Sequence, residues 1–289
     1  MPSTTPSPTL LSSGTRPATT LDSLQPVGSS HEDVRRYSRA RRNLLPRPDR
    51  VTAVCGGWAH EAVLRAHTAI ESVLWCPGPR AHAELEASAV AAAARASRAF
   101  RISERTLARI HPHATAPELL SVVRLPVWDA TRLLADGARL VLVADGIEYA
   151  GNLGTLVRTV DACAADALVL TGATARVTHP KVFTASRGTV LTTPVLTFGS
   201  VREARSALAA AGFTAYVADP AAATSYRRAG LGRVRTAVVV GSEGSGVSDQ
   251  WREGLTRVSI PMRGRADSLN VAVSAAVLLF EARARLDDD

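Results

Sequence analysis

Apolar and polar positions along the chain fall into two stretches of different rhythm. From Leu140 onward, short segments read as strands at Leu140–Ala144, Ala167–Thr171, Thr193–Leu196, Thr214–Ala218, Thr236–Val240 and Arg257–Ile260. Several are continuous apolar runs, the pattern of strands buried on both faces. Helical segments separate most of them, including Val201–Ala211 and Asp249–Leu255, and the stretch Val271–Ala282 is apolar nearly all round, which predicts a deeply buried helix. The expected product is a mostly parallel sheet covered on both sides. Upstream, Val51–Cys55, Ile70–Trp75, Ala99–Ile102 and Ser121–Leu125 read as strands. They alternate with helices at His60–Ala69, at the alanine-rich Ala81–Ser97 and at Ser103–Ile110, where Ser103 is a candidate N-cap. That order predicts a small α/β/α sandwich, with Gly56-Gly57 as a turn after its first strand.

The pattern divides the 289 residues into a Pro/Ser/Thr-rich tail at 1–30, a first unit at 31–126, a linker with a short helix at 127–139 and a second unit at 140–289. The tail has too little apolar surface to offset the entropy of ordering and is expected to be disordered. It lacks an apolar run behind a basic start, so it does not read as a secretory signal, and the chain reads as cytoplasmic. No stretch approaches the roughly 18 apolar residues of a membrane span.

Charge adds a partner class. The formal net charge is +8, and Lys181 is the single lysine beside 33 arginines. A basic surface is the electrostatic condition for binding nucleic acid, and guanidinium groups match phosphate and stack on bases. Arg35, Arg36, Arg39, Arg41, Arg42, Arg47 and Arg50 crowd one short span. They form either a solvated helix face or an arm that docks on phosphates, with Arg41 and Arg42 as candidate substrate contacts. Cys55, Cys76 and Cys163 are widely spaced, without a C-x-x-C pair or a histidine cluster, so neither a disulfide framework nor a metal site is indicated. His111 and His113 flank Pro112 in what reads as a surface loop.

Three stretches carry candidate chemistry. In Ala144–Thr159 a strand passes through a turn into a helix whose Leu153, Leu156, Val157 and Val160 define one buried face. Asn152 stands where an N-cap would, and Arg158 projects from the second turn near the strand end, a natural place for phosphate or carboxylate. No G-x-G-x-x-G follows the first strand, so an ordinary dinucleotide site lacks its phosphate loop. In Val240-Gly-Ser-Glu-Gly-Ser-Gly-Val247 glycines let the backbone turn sharply beside a ligand and hold Glu243 at the strand end. In Ser259–Ser274 a loop leads into the last helix through Ser268 and Asn270, both strong capping residues.

Asn152-x-Gly154-x-x-x-Arg158, then Gly241-Ser-Glu-Gly-x-Gly246, then Ile260-Pro-Met followed by Ser268-Leu-Asn-Val-Ala-Val-Ser274 stand in one order and spacing. Together they resemble the three signature motifs of the SpoU/TrmH family, within the SPOUT class of S-adenosylmethionine-dependent RNA methyltransferases. The resemblance covers Leu140 to the C-terminus. Phe183-Thr-Ala-Ser-Arg-Gly188 and the two-unit layout are similar to the thiostrepton-resistance rRNA methyltransferases. The resemblance implies an α/β catalytic domain tied into a trefoil knot, a rare exception to unknotted chains. Ahead of it would stand a ribosomal-protein-like RNA-binding domain, and the protein would work as a homodimer with its active site at the subunit interface. It implies methyl transfer to a ribose 2′-hydroxyl of RNA, rRNA first, with antibiotic resistance as one outcome. A tRNA or small-molecule acceptor, or a non-catalytic RNA-binding factor, are the alternatives. By the resemblance, S-adenosylmethionine is cradled by Ala218, Gly241, Ser242, Gly246, Ile260, Met262, Ser268 and Leu269. Arg158 acts on the 2′-hydroxyl, either as general base or as the cation that holds phosphate and stabilises the alkoxide. Asn152 and Asn270 orient it or the ribose, Glu243 fixes the network, Ser268 contacts substrate or cofactor, and Arg187 contacts phosphate or the methionine carboxylate. No metal is implied.

Overall fold

The structure, a computed structural model, describes residues 20–47, 49–79, 82–135 and 137–288. The first unit runs α1 (Glu32–Arg41), β1 (Val51–Cys55), α2 (Gly57–Arg65), β2 (Ile70–Cys76), α3 (Ala83–Arg95), β3 (Arg98–Arg101), α4 (Glu104–Ile110) and β4 (Glu118–Arg124). Its sheet is ordered β1-β4-β2-β3, with β4 antiparallel to both neighbours and β2 parallel to β3. Val63, Ala89 and Ala92 of α2 and α3 cover one face, and Val34, Tyr37, Leu107 and Ile110 of α1 and α4 cover the other. Burial raises the thiols of Cys55, Cys76 and Cys163, Cys76 to about 11, as expected for packed cysteines rather than reactive ones.

Details of this unit differ from the expectation. Helix α2 starts at Gly57 rather than His60, because Gly56 takes φ +88° and turns the chain in one residue. Strand β4 begins at Glu118, ahead of Ser121. Residues 20–30 are not a free tail: the Val27 N–H donates to the Arg101 carbonyl at 2.8 Å, the Arg101 N–H donates to Gln25, and Leu24 is buried. Edge strand β3 offers unpaired backbone groups, and this segment uses them. The remainder of the expected tail, 1–19, lies outside the described residues.

The second unit runs α5 (Ala130–Ala135), β5 (Leu140–Asp145), α6 (Ala150–Ala162), β6 (Ala167–Thr171), α7 (Pro180–Ala185), β7 (Val195–Thr197), α8 (Val201–Ala210), β8 (Thr214–Ala218), β9 (Thr236–Val240), α9 (Asp249–Arg252), β10 (Thr256–Val258) and α10 (Val271–Asp287). All pairings in its six-stranded sheet, ordered β10-β8-β9-β5-β6-β7, are parallel. Strands β5, β6 and β9 are buried at every position, as their continuous apolar runs require. Helices α6, α7 and α10 pack on one face, α5, α8 and α9 on the other. The stretch read as a linker therefore belongs to this packing: Leu134 and Ala138 share a cluster with Val141 and Val143. Strand β7 starts only at Val195, since Pro194 has no N–H to donate, and α9 stops at Arg252.

Helix α10 departs most from its prediction. Val271, Ala275, Leu278, Leu279 and Ala282 are buried, but the opposite face is apolar and open: Val273 is 48% and Phe280 50% exposed, with Val277 between them only partly covered. The two units meet along α7. The Trp58 ring stacks on Phe183 with centroids 5.6 Å apart, and the Arg176 guanidinium donates to the carbonyls of Leu45 at 2.8 Å and Pro46 at 3.0 Å.

Candidate active-site cleft

The loops after β8, β9 and β10, with the start of α10, enclose a cleft of about 360 Å³. It lies at the carboxyl ends of parallel strands, where open α/β sheets hold their ligands. Ala218, Gly241, Ser242, Gly246, Ile260, Met262, Ser268 and Leu269 all line it, over an apolar floor of Val240, Val258 and Val271. Gly241 admits no side chain: a Cβ there would stand 2.0 Å from the backbone carbon of Gly246. The close approach comes from a tight turn in which the backbones of Ser242 and Gly246 bond reciprocally, at 3.1 and 2.9 Å. Ser274, which ends the third motif, also lines the cleft, as do Asp219, Pro220 and Asp267, which the motifs did not single out. The signal for Asp219 and Pro220 was present, a carboxylate and a proline directly after strand β8. Asp219 is buried and receives Arg257 at 3.2 Å and the Ala221 N–H at 2.9 Å.

One end of the cleft is a wall built from all three motifs. Asn152 Nδ2 donates to Glu243 Oε1 at 2.9 Å, Asn270 Nδ2 donates to the same oxygen, and Asn270 Nδ2 lies 3.4 Å from Asn152 Oδ1. Asn270 is also the N-cap of α10, its Oδ1 accepting the Ala272 N–H at 2.9 Å. The cap and network readings of Asn270 are thus one arrangement. Asn152 is not a cap: α6 begins at Ala150 after Tyr149, placing Asn152 inside the first turn with its amide turned to Glu243. Nor does Ser268 cap; its hydroxyl is exposed, 3.5 Å from Asp267. Behind the wall, buried Asp145 accepts from Thr171 Oγ1 at 2.8 Å and from the Ser248 N–H at 2.9 Å, fixing the loop after β9 to the end of β5.

The basic candidates lie elsewhere. Arg158 is exposed on α6 and has no hydrogen-bond or ion-pair partner among the described residues. At 3.6 residues per turn its face is roughly 120° from that of Asn152, and it does not line the cleft. Arg187 does not reach the cleft either, which counts against contact with a methionine carboxylate inside one chain. It follows α7 at φ +55°, with its guanidinium 4.7 Å from the centroid of Trp58. Arg41 and Arg42 end α1 in the first unit, away from the cleft; Arg42 is exposed, while Arg41 is half-buried with Nε unpaired. No group of His, Cys, Asp and Glu among the described residues could hold a metal.

A fully parallel sheet with a ligand cleft at its strand ends defines an α/β ligand-binding domain joined to a smaller mixed α/β unit. The chain belongs to the SpoU rRNA methylase family: the family model matches residues 139–280. The chain is 31% identical over 185 residues to the 23S rRNA (guanosine(2553)-2′-O)-methyltransferase of Bacillus subtilis, covering 64% of this chain and 72% of that one. It is 32% identical over 177 residues to the 23S rRNA (uridine(2479)-2′-O)-methyltransferase of Streptomyces viridochromogenes, covering 57% of this chain and 60% of the relative. Among solved structures, an RNA 2′-O ribose methyltransferase superposes with TM-score 0.69 at 28% identity, over 92% of this chain and 99% of its own. The fold is also that of an AdoMet-bound rRNA methyltransferase from Sinorhizobium meliloti, with TM-score 0.77 at 22% identity, over 91% of this chain and 98% of that one.

Proposed function

We propose that this protein transfers the methyl group of S-adenosylmethionine to a ribose 2′-hydroxyl of rRNA. The observation that carries the reading is the meeting of the three motifs on one oxygen of Glu243, at the end of a cleft lined by the residues expected to cradle the cofactor. The residues suit that group. The cleft volume of about 360 Å³ falls in the range of small-molecule sites, and the apolar floor suits an adenine. When bound, the cofactor supplies an already activated methyl on a sulfonium.

The chain's own residues then hold and polarise the acceptor. Asn152 and Asn270 fix Glu243, whose other oxygen remains without a partner among the described residues and is free to take a hydroxyl or guanidinium donor. Arg158 stabilises the developing alkoxide or grips the adjacent phosphate; a guanidinium hardly deprotonates, which disfavours the general-base role.

The homodimer belongs to the same reading. The open apolar stripe of Val273, Val277 and Phe280 on α10, and the position of Arg158 outside the cleft of its own chain, favour an active site completed across a subunit interface. Phe280→Glu is expected to yield monomers by light scattering. The trefoil knot also belongs here, supported by the return of the chain from edge strand β10 through 259–270 to α10, packed against α6. A crystal structure with the cofactor bound reads the knot and the cradle together. In the first unit, the exposed arginines around α1 support an RNA-binding role.

The test is transfer of labelled methyl from S-adenosylmethionine to rRNA from an unmodified host, followed by mapping of the product. One 2′-O-methyl site is expected, and its position reads whether an antibiotic-binding region is modified. Cofactor binding without transfer to rRNA overturns rRNA as the acceptor, and incorporation into tRNA then identifies the alternative.

A further inference from the structure

A second cleft, of about 460 Å³, lies on the far side of the motif wall. Ser242, Glu243 and Val271 line both clefts, so one carboxylate stands between them. The second cleft is otherwise formed by the β5–α6 turn, with Glu148, Tyr149 and Asn152, and by the tip of the glycine-rich loop at Gly244 and Ser245. Tyr149 is 64% exposed, and its side chain has no hydrogen-bond or ring partner among the described residues. It is the N-cap residue of α6, yet its side chain makes no capping bond. A large ring left in solvent beside a cleft has no role in packing this chain.

The chemistry of the lining narrows the occupant. Glu148 and Glu243 are exposed carboxylates, and no basic side chain lines the cleft. It repels phosphate and accepts from neutral donors such as ribose hydroxyls and exocyclic amines. An unstacked nucleoside offers such donors, and an aromatic ring is its usual platform. Resting on the methyltransferase reading above, we infer that this second cleft receives the acceptor nucleoside, with its base stacked on Tyr149. The ribose then sits where the two clefts adjoin at Ser242 and Glu243, with its 2′-hydroxyl turned to the first cleft, and the flanking phosphates lie outside, where they meet the arginines. Tyr149 is a substrate-binding residue that sets affinity for RNA, separate from the cofactor cradle.

The experiment compares the full-length protein with Tyr149→Ala, Tyr149→Phe and Tyr149→Trp. Initial rates on rRNA from the unmodified host give kcat and KM, calorimetry gives S-adenosylmethionine affinity, and light scattering gives the oligomeric state. Tyr149→Ala is expected to raise KM for rRNA about fivefold or more, in line with the loss of one stacked base. Cofactor affinity and oligomeric state should stay as in the wild type, and Phe and Trp should restore KM to within about twofold, because the ring rather than the hydroxyl makes the contact. An unchanged KM in Tyr149→Ala overturns the inference while leaving the methyltransferase reading intact. So does a Phe variant as impaired as Ala, or a shift to monomers, which would place Tyr149 in a subunit contact. If the wild type itself transfers no methyl to RNA, the reading beneath the inference fails and both fall.

Discussion

Charged side chains in the two units are used differently. In the first unit several arginines pair with carboxylates: Arg36 pairs with Glu71 at 2.8 Å and Asp49 at 3.3 Å, Arg124 shares Glu71, and Arg98 grips buried Asp33 at 2.9 Å. These pairs raise the pKa of Arg36 and Arg98. In the second unit, beside ion pairs such as Arg257 with Asp219 and Arg285 with Glu281, many arginines hold main-chain carbonyls. Arg235 donates to Ala138 at 2.7 Å and to Ala211 at 2.6 Å, and Arg283 donates to Cys163 at 3.0 Å. The motif residues behave unlike either group: Glu243 keeps one oxygen open, and Arg158 is without a partner among the described residues. A side chain with strong hydrogen-bonding capacity left open at a cleft is a better pointer to chemistry than net charge, since much of the basic excess is structural. Arg158, the motif cation proposed to act in a site completed across a subunit interface, is the position of largest expected effect. Arg158→Ala should lower methyl transfer at least about 100-fold, the scale of removing one donor from a developing anion. Cofactor affinity by calorimetry should stay within a factor of about two, because the side chain lies outside the cleft. A comparable loss from Arg36→Ala, without unfolding, would break the contrast.

His60 sharpens the same contrast from the other side. Its Nε2 lies 2.8 Å from Ser121 Oγ and its Nδ1 2.8 Å from the Gly56 carbonyl, a pairing that superficially suits nucleophile activation. Both residues are fully buried at the α2–β4 contact, and desolvation lowers the histidine to a pKa of about 4. The folded state therefore holds the neutral ring between pH 4 and 6.5, while the unfolded chain takes up a proton there. The contribution is full above pH 6.5 and is lost as pH falls towards 4, on the order of 3 kcal/mol by linkage. Urea midpoints of the full chain should fall over that window, with a shallower fall in His60→Gln, and the imidazole resonances should titrate near pH 4. Titration near 6.5 would mean an accessible ring and a functional site in the first unit.

How far the site could be read from sequence follows from the same physics. The strands of the parallel sheet were legible because burial on both faces leaves continuous apolar runs; β6, β8 and β9 match their expected bounds. Most residues of the main cleft, though not Asp219, Pro220 or Asp267, were legible through the motif resemblance, which carries spacing that periodicity lacks. Three things were not. Asn152 looked like a cap because its residue type caps well, but the helix starts two residues earlier and frees its amide for Glu243. The open face of α10 was read as core, since an apolar side chain looks the same whether its neighbour is its own chain or another. The position of Arg187 depended on the contact between units, set by Trp58 and Phe183 more than 120 residues apart in sequence.

That contact gives the smallest expected effect and the finest division of the comparison. Arg187 lies over Trp58, so it belongs by geometry to the junction and by charge to the surface. A double-mutant cycle of Trp58→Ala and Arg187→Ala on thermal stability should return a coupling of about 0.5–1 kcal/mol, the scale of an exposed cation–π pair. RNA binding separates the two roles. If the ring holds the guanidinium ready for a phosphate, Arg187→Ala lowers the slope of log K against log salt by about one unit, whereas Trp58→Ala, which keeps the charge, leaves the slope near that of the wild type. An unchanged slope in Arg187→Ala would assign this arginine to the junction alone, with those that pair inside the fold.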